Sequence, residues 1–277
     1  MKTGTSERPD LPIAVVIGGG GMGMSTARRL GQSHRIVLAS LSADKNVARE
    51  AALKEDGIDA VAVQCDITDP QSVGELAQFV ASKGRFRTLA HVAALAPAAF
   101  DWENILEVDL IGARLMERAM FELAGEGAVA VFVSSIAAHI QVPPEVVAVL
   151  DDPLASDFLE KLADVLGEAP HYNSAYGLAK FAVNRMCRLR ASAWGAKRAR
   201  IVSVSPGLIA TPMGAKAFET QPALIGLLHS TPLQREGTMV ETADAIEFLA
   251  SSRASYITGC DLLVDGGFVG AREALPS

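Results

Sequence analysis

Short apolar runs recur along the chain at intervals that leave room for a helix between them. They are IAVVI (13–17), RIVLA (35–39), DAVAVQ (59–64), TLAHVAA (88–94), AVAVFVSS (128–135), RIVSVS (200–205) and DLLVD (261–265). Most are apolar throughout rather than alternating, which is the pattern of strands buried on both faces of a parallel sheet. Between them, 43–56, 70–83, 101–124, 174–194 and 241–250 carry helical periodicity. Asp69-Pro70 adds a cap and a first-turn proline to the second of these. The alternation predicts an α/β architecture: a doubly wound, Rossmann-type parallel sheet of seven strands. No Pro/Gly-rich linker divides it. Residues 13–277 therefore read as one domain behind a polar, loose leader, 1–12.

One segment breaks the rhythm. Residues 140–170 contain Pro143-Pro144 and Pro153, with a helix predicted over 155–166. They stand between the fifth strand and the helix that starts near Ser174. Two readings of this insertion stay open: a surface excursion over a core edge, or a wall of the active-site mouth.

Composition narrows the function. Of 277 residues, 49% are hydrophobic, enough for a large core, and the formal net charge is −7. An acidic chain does not offer the extended basic face that nucleic acid requires. The cluster Arg185, Arg188, Arg190, Lys197, Arg198 and Arg200 reads as a solvated helix face or a subunit rim. No run is long enough for a membrane span or a signal h-region. Cys65, Cys187 and Cys260 show neither zinc spacing nor a disulfide framework, so a cytoplasmic protein without a bound metal is expected. His91 follows a strand pattern and reads as a satisfied core histidine.

Two motifs carry chemistry. The first is GGGGMGMSTARRL (18–30), between a strand and a helix. Gly18, Gly20 and Gly23 satisfy G-x-G-x-x-G, and with Gly21 and Met22 they bring backbone N–H groups to a helix amino terminus, where a pyrophosphate binds. In that fold an acidic residue about 20 positions on holds the adenosine ribose. Here the second strand ends Ala39-Ser40-Leu41, with no carboxylate. Ser40 leaves room for a 2′-phosphate, with Lys45 as a candidate counter-charge. NADP(H) is therefore favoured over NAD(H). The second motif is SAYGLAKF (174–181). Tyr176 and Lys180 are four apart and share a helix face, where a lysine favours the phenolate.

With strands, glycine turn and Tyr-x-x-x-Lys in order, the chain resembles the single-domain short-chain dehydrogenase/reductase family, from Ile13 to about Gly267. Within it, the long insertion looks like that of the bacterial 3α-hydroxysteroid dehydrogenase/carbonyl reductase group. The resemblance implies that Ser135, Tyr176 and Lys180 are catalytic. It implies cofactor contacts at Asp66 and Ile67, at Ala93 and Ala94 after the fourth strand, and at Pro206, Gly207, Ile209 and Thr211 in SPGLIATPM. It also implies a homodimer or homotetramer, commonly paired through the Tyr-x-x-x-Lys helix and its neighbour.

The departures are specific. Ile17 stands where the family's first glycine would be. His91-Val92-Ala93-Ala94 replaces Asn-Asn-Ala-Gly. Asp109 replaces the asparagine that, in the family, holds a water chain to the lysine; two readings stay open: ionised or proton-sharing at about 6 Å from Lys180, it would oppose the lysine's effect on Tyr176, whereas protonated by burial it would donate and accept much as the amide does.

The chemistry implied is the interconversion of a secondary alcohol and a ketone. A phenol can deliver or take the proton if its pKa falls toward neutrality, and Ser135 would bond the substrate oxygen. Leu95, Pro97, Ile140, Val142, Met213, Phe218, Leu224 and Leu227 leave two readings open: a pocket for a small apolar or steroid-like substrate, or core under a mobile loop. The competing expectations are a non-catalytic dinucleotide sensor and a cofactor-free lyase on the same fold.

Overall fold

The apolar runs become strands because both faces of the sheet they form are covered. In this computed structural model residues 11–96, 99–211 and 223–274 are described. The first half runs β1 (Ile13–Ile17), α1 (Gly21–Leu30), β2 (Arg35–Ser40), α2 (Ala43–Glu55), β3 (Ala60–Gln64), α3 (Pro70–Lys83) and β4 (Phe86–His91). It continues through α4 (Trp102–Leu106), a π turn (Glu107–Gly112), α5 (Ala113–Leu123) and β5 (Val129–Val133). Then come α6 (Pro144–Leu150), α7 (Phe158–Leu166), α8 (Tyr172–Ala196), β6 (Arg200–Pro206), β7 (Ile209–Ala210), α9 (Ala223–Ser230), β8 (Gly237–Thr238), α10 (Met239–Ala250), β9 (Asp261–Val264) and α11 (Phe268–Glu273).

Seven strands pair in the order β3-β2-β1-β4-β5-β6-β9, all parallel. The order reverses between β1 and β4, the crevice where open α/β sheets bind ligands. Alternate residues of β1 feed two cores. Ile13, Val15 and Ile17 join the side chains of α3, α5 and α8, whereas Ala14 and Val16 join those of α1 and α10. This is the period-2 alternation of a strand with no solvent face.

The helix predicted over 101–124 is interrupted. Its middle, Glu107–Gly112, is a π turn. Gly112 closes that turn against Ile67: a Cβ there would lie 2.8 Å from the Ile67 side chain. Single π turns of this kind mark functional positions in many helices.

The insertion holds two helices rather than one. Pro144 opens α6 at a position where a missing N–H costs nothing, and α7 begins at Phe158 rather than 155. Val146, Leu150, Phe158 and Leu162 are buried in the core shared with α8. α6 packs on α8, and Asp151 holds Arg185 of α8 through two hydrogen bonds, 2.5 and 2.7 Å. The segment thus covers the flank of α8. Among the described residues no helix is long and apolar enough to cross a membrane, and no cluster of three or more His, Cys, Asp or Glu could hold a metal.

Candidate active site

The carboxyl ends of β1, β4, β5 and β6 form one edge, and the two sequence motifs meet along it. Gly18 leaves β1 at φ +104°, a conformation that favours glycine. It also faces Ala93 after β4, whose amide nitrogen a Cβ on Gly18 would meet at 2.8 Å. Gly23 packs on the Gly18 carbonyl so closely that no side chain fits. Gly20 faces open space and precedes α1 with no side-chain cap. Those first-turn N–H groups, which include those of Gly21 and Met22, are left for a ligand. A tight turn, an open position and a close helix contact therefore fall at Gly18, Gly20 and Gly23, the register that Ile17 had put in question. The cradle fits a dinucleotide pyrophosphate.

At the far end of this cradle Ser40 is already engaged. Its hydroxyl donates to Asn46 Oδ1 at 2.6 Å and accepts from Arg49 at 2.7 Å. Arg49 also bonds Asn46 Oδ1 and lies across Gly19, where a Cβ would come within 2.5 Å of the guanidinium. Lys45, the counter-charge expected from sequence, is exposed, and only its backbone N–H is engaged, by Ser42. The cation in contact with Ser40 is Arg49. No motif marks it, because it lies nine positions beyond Ser40, across the strand end and into the helix. Asp66 lies beyond β3, where Oδ1 accepts both the amide and hydroxyl of Thr68. Ile67 is buried behind it.

The second motif is pinned from both sides. Ser134 donates to the Lys180 carbonyl at 3.0 Å, tying the end of β5 to α8. Ser135 follows in extended conformation, and its Oγ accepts the Ala137 N–H. Tyr176 is partly buried and Lys180 fully buried, with Nζ 5.4 Å from the Tyr176 ring centre. Burial pushes the Tyr176 phenol up from its usual value; Lys180 pulls it down, Asp109 pushes it up again, and a hydrogen bond with Ser135 pulls it down. The upward influences win.

Asp109 is nearer than its spacing suggested. Its Oδ2 lies 3.2 Å from Lys180 Nζ, both groups being shielded from solvent, rather than at about 6 Å. Oδ1 accepts the Leu95 N–H at 2.8 Å. Burial lifts the Asp109 carboxyl above the usual carboxylate range against the pull of Lys180. Lys180 is itself held above its usual value: burial pulls it down, but the charges of Asp109 and Tyr176 outweigh it. The ammonium at this distance decides the pair, and we take it as ionised at neutral pH. His91 lies in the core as expected, stacked on Phe132 at 5.3 Å. It is not satisfied, however, because Nε2 has no partner. Burial, then Lys180, pushes its pKa down to about 3, so the ring is neutral.

Pro206 ends β6, and Gly207 passes Asp265 too closely for a Cβ. Ile209 is buried on β7, which pairs with β8, and Thr211 follows as the last described residue of that segment. Of the apolar candidates, Pro97, Met213 and Phe218 lie outside the described residues. Leu224 and Leu227 are half-buried on α9, and Val142 packs on the core. Ile140 instead lines a cavity of about 570 Å³ with Phe181, Asn184 and Arg188. Among the described residues, the lining of that cavity includes none of Ser135, Tyr176 and Lys180. The basic cluster is not one solvated face: Arg185, Arg190 and Arg198 are ion-paired, and Arg200 is buried on the carbonyls of Leu249, Ser251 and Ile257.

Two family models cover most of the chain: one described as short chain dehydrogenase matches residues 12–147, and one described as Enoyl-(Acyl carrier protein) reductase matches 163–269. The chain is 32% identical to the short-chain dehydrogenase/reductase bsc3 of Alternaria brassicicola, over 91% of this chain and 94% of that protein. It is 32% identical to D-threitol dehydrogenase of Mycolicibacterium smegmatis, over 94% of each. Among solved structures, gox2181 superposes with a TM-score of 0.77 at 24% identity, covering 94% of this chain and 96% of that one. A variant of actinorhodin polyketide ketoreductase with NADPH superposes at 0.74 and 21% identity, covering 94% and 98%.

Proposed function

The chain belongs to the short-chain dehydrogenase/reductase family, and on that premise we propose that it interconverts a secondary alcohol and a ketone with Tyr176 as the acid–base group. It is an oxidoreductase acting on alcohol or ketone groups, and the family binds NAD(P). One observation carries the assignment of roles: Ser135, Tyr176 and Lys180 converge at the strand edge that also holds the glycine cradle.

The bound nicotinamide would supply or accept the hydride. In reduction the carbonyl electron pair moves to oxygen as the new C–H bond forms, and that oxygen takes the Tyr176 proton. Lys180 meets the charge of the phenolate left behind. The Ser135 hydroxyl donates to the same substrate oxygen and holds it in line. Gly18, Gly20, Gly21, Met22 and Gly23 would hold the pyrophosphate, and Asp66, Ile67, Ala93, Ala94, Pro206, Gly207, Ile209 and Thr211 would line the rest of the cofactor groove.

NADP(H) is the favoured cofactor, supported by Arg49 beside Ser40 and by the lack of a carboxylate at the end of β2. A 2′-phosphate there would replace neutral oxygens as the partner of a guanidinium. D-threitol, the substrate named for one relative, is a polyol, so an apolar or steroid-like substrate rests on this chain's own Leu95, Val142, Leu224 and Leu227. Assembly as a homodimer or homotetramer is supported by the open edge of β9, where Leu263 is exposed, while the insertion covers α8.

Tyr176→Phe tests the mechanism. Cofactor affinity by fluorescence titration should stay within a few-fold, and ketone turnover should fall on the order of 10²–10⁴-fold. Near-wild-type turnover would overturn the assignment.

A further inference from the structure

Among the described residues the Asp109–Lys180 pair is the buried ion pair at the reaction edge, and it is placed oddly for a site that must ionise a phenol. A lysine beside a tyrosine favours the phenolate. A carboxylate on the lysine's other side cancels part of that field while fixing the lysine's charge. The geometry makes this a built arrangement. Asp109 sits in the π turn, both side chains are shielded from solvent, and Oδ1 is held by the Leu95 amide. Oδ2 faces Lys180 at an angle that falls short of a hydrogen bond, so the contact is electrostatic.

We propose that Asp109 sets the pH at which the acid–base group switches: its buried carboxylate holds Lys180 as an ammonium, offsets that cation's pull on the Tyr176 phenolate, and keeps the phenol protonated to higher pH than the lysine alone would allow. Asp109 acts through Lys180 and is a positioning residue. The inference rests on Tyr176 being the acid–base group.

The groups around the pair agree. On α8 the neighbours are Tyr176 and Lys180 themselves. From β4, His91 is neutral and adds no charge. From β5 and the turn after it come the Val133 carbonyl, which accepts from Lys180 Nζ at 3.5 Å, and the Ser135 hydroxyl. Among the described residues Asp109 is the acid that acts on both Tyr176 and Lys180. Carbonyl reduction consumes the phenolic proton, and alcohol oxidation needs the phenolate. A site that holds the phenol protonated at neutral pH therefore has its proton donor ready for reduction there, while oxidation needs a higher pH.

The sign is explicit. Removing the carboxylate's charge leaves Lys180 less opposed, the phenolate becomes easier to form, and oxidation should gain at lower pH. The test is kcat/KM against pH in both directions, with saturating cofactor, for the wild type and Asp109→Asn. The alkaline rise of oxidation should move down by about one pH unit or more. The kcat/KM of oxidation at pH 7 should rise on the order of tenfold. An unchanged profile, or a shift upward, would overturn the proposal.

Phenolate absorbance, taken as the difference from Tyr176→Phe in the cofactor-loaded protein, reads the same coupling without turnover. A wild-type phenol ionised at pH 7 would overturn the proposal even if Asp109→Asn failed to fold. Were no alcohol or ketone turned over, the functional reading would fall, while the absorbance titration would still report whether Asp109 controls the phenol.

Discussion

Asp109 and Glu117 are both fully buried carboxylates on the stretch from the π turn into α5, and both face α8, yet their neighbours treat them differently. Glu117 is saturated. Its Oε1 accepts from Arg190 Nε and Trp194 Nε1, each at 2.8 Å, and its Oε2 accepts from Arg114. Asp109 has one backbone amide on one oxygen and one ammonium, imperfectly aligned, on the other. A carboxylate with three side-chain donors has its charge met by its own partners, so it serves chiefly to join the two helices. A carboxylate with one under-aligned partner still projects a field onto the next group, here Tyr176. The same residue chemistry, two turns apart, makes a structural joint in one place and a control element in the other.

The comparison can be broken at its saturated end. Glu117→Ala leaves two guanidinium groups and an indole N–H without their acceptor. It should cost about 3–5 kcal/mol, read as a fall in denaturant midpoint, with the pH profile of the residual activity unchanged. A moved profile would mean that Glu117, too, reaches the reaction site. A smaller effect is expected where a cation has only neutral partners. Arg49→Ala should lower the preference for NADPH over NADH on the order of 10- to 100-fold, measured by fluorescence titration, with little effect on turnover at saturating cofactor. No change would detach Arg49 from cofactor choice. The least is expected at the surface. Asp151→Ala removes a bidentate pair with Arg185, but both groups are about one-third exposed, so stability should drop by less than about 1 kcal/mol. A loss as large as that of Glu117→Ala would show that the insertion hangs on this pair rather than on Val146, Leu150, Phe158 and Leu162.

Much of this could be read from the chain because it depends on local order. Runs buried on two faces announce themselves by continuous apolarity, and all seven sheet strands lie where those runs do. The glycine turn and the Tyr176/Lys180 pair are short-range motifs, and the family's order of landmarks placed Ser135 and Asp109 beside them. What stayed hidden depends on where separate segments meet. Arg49 reaches Ser40 and Gly19 only because α2 folds back on the end of β2. The three donors on Glu117 come from two helices, with Trp194 77 positions along the chain from their acceptor. The π turn leaves the apolar pattern of 101–124 looking like an unbroken helix. Asp109 could be named as unusual from its neighbours in sequence, but its 3.2 Å approach to Lys180 could not.

That π turn also sets an angular phase. Eight residues separate Asp109 from Glu117, and at about 100° per residue an unbroken α-helix would carry the second side chain about 80° past two full turns. A wide turn takes up one residue without advancing the helix, so the effective separation is seven, about 20° short of two turns. Both carboxylates thereby point at one neighbour. The chain reads like a regular helix that has absorbed a single-residue insertion, with the slack taken at the residues that hold the buried acid. Trimming that residue would let the helix close to ordinary geometry, with Glu117 and its three donors left in phase and Asp109 the position that must move.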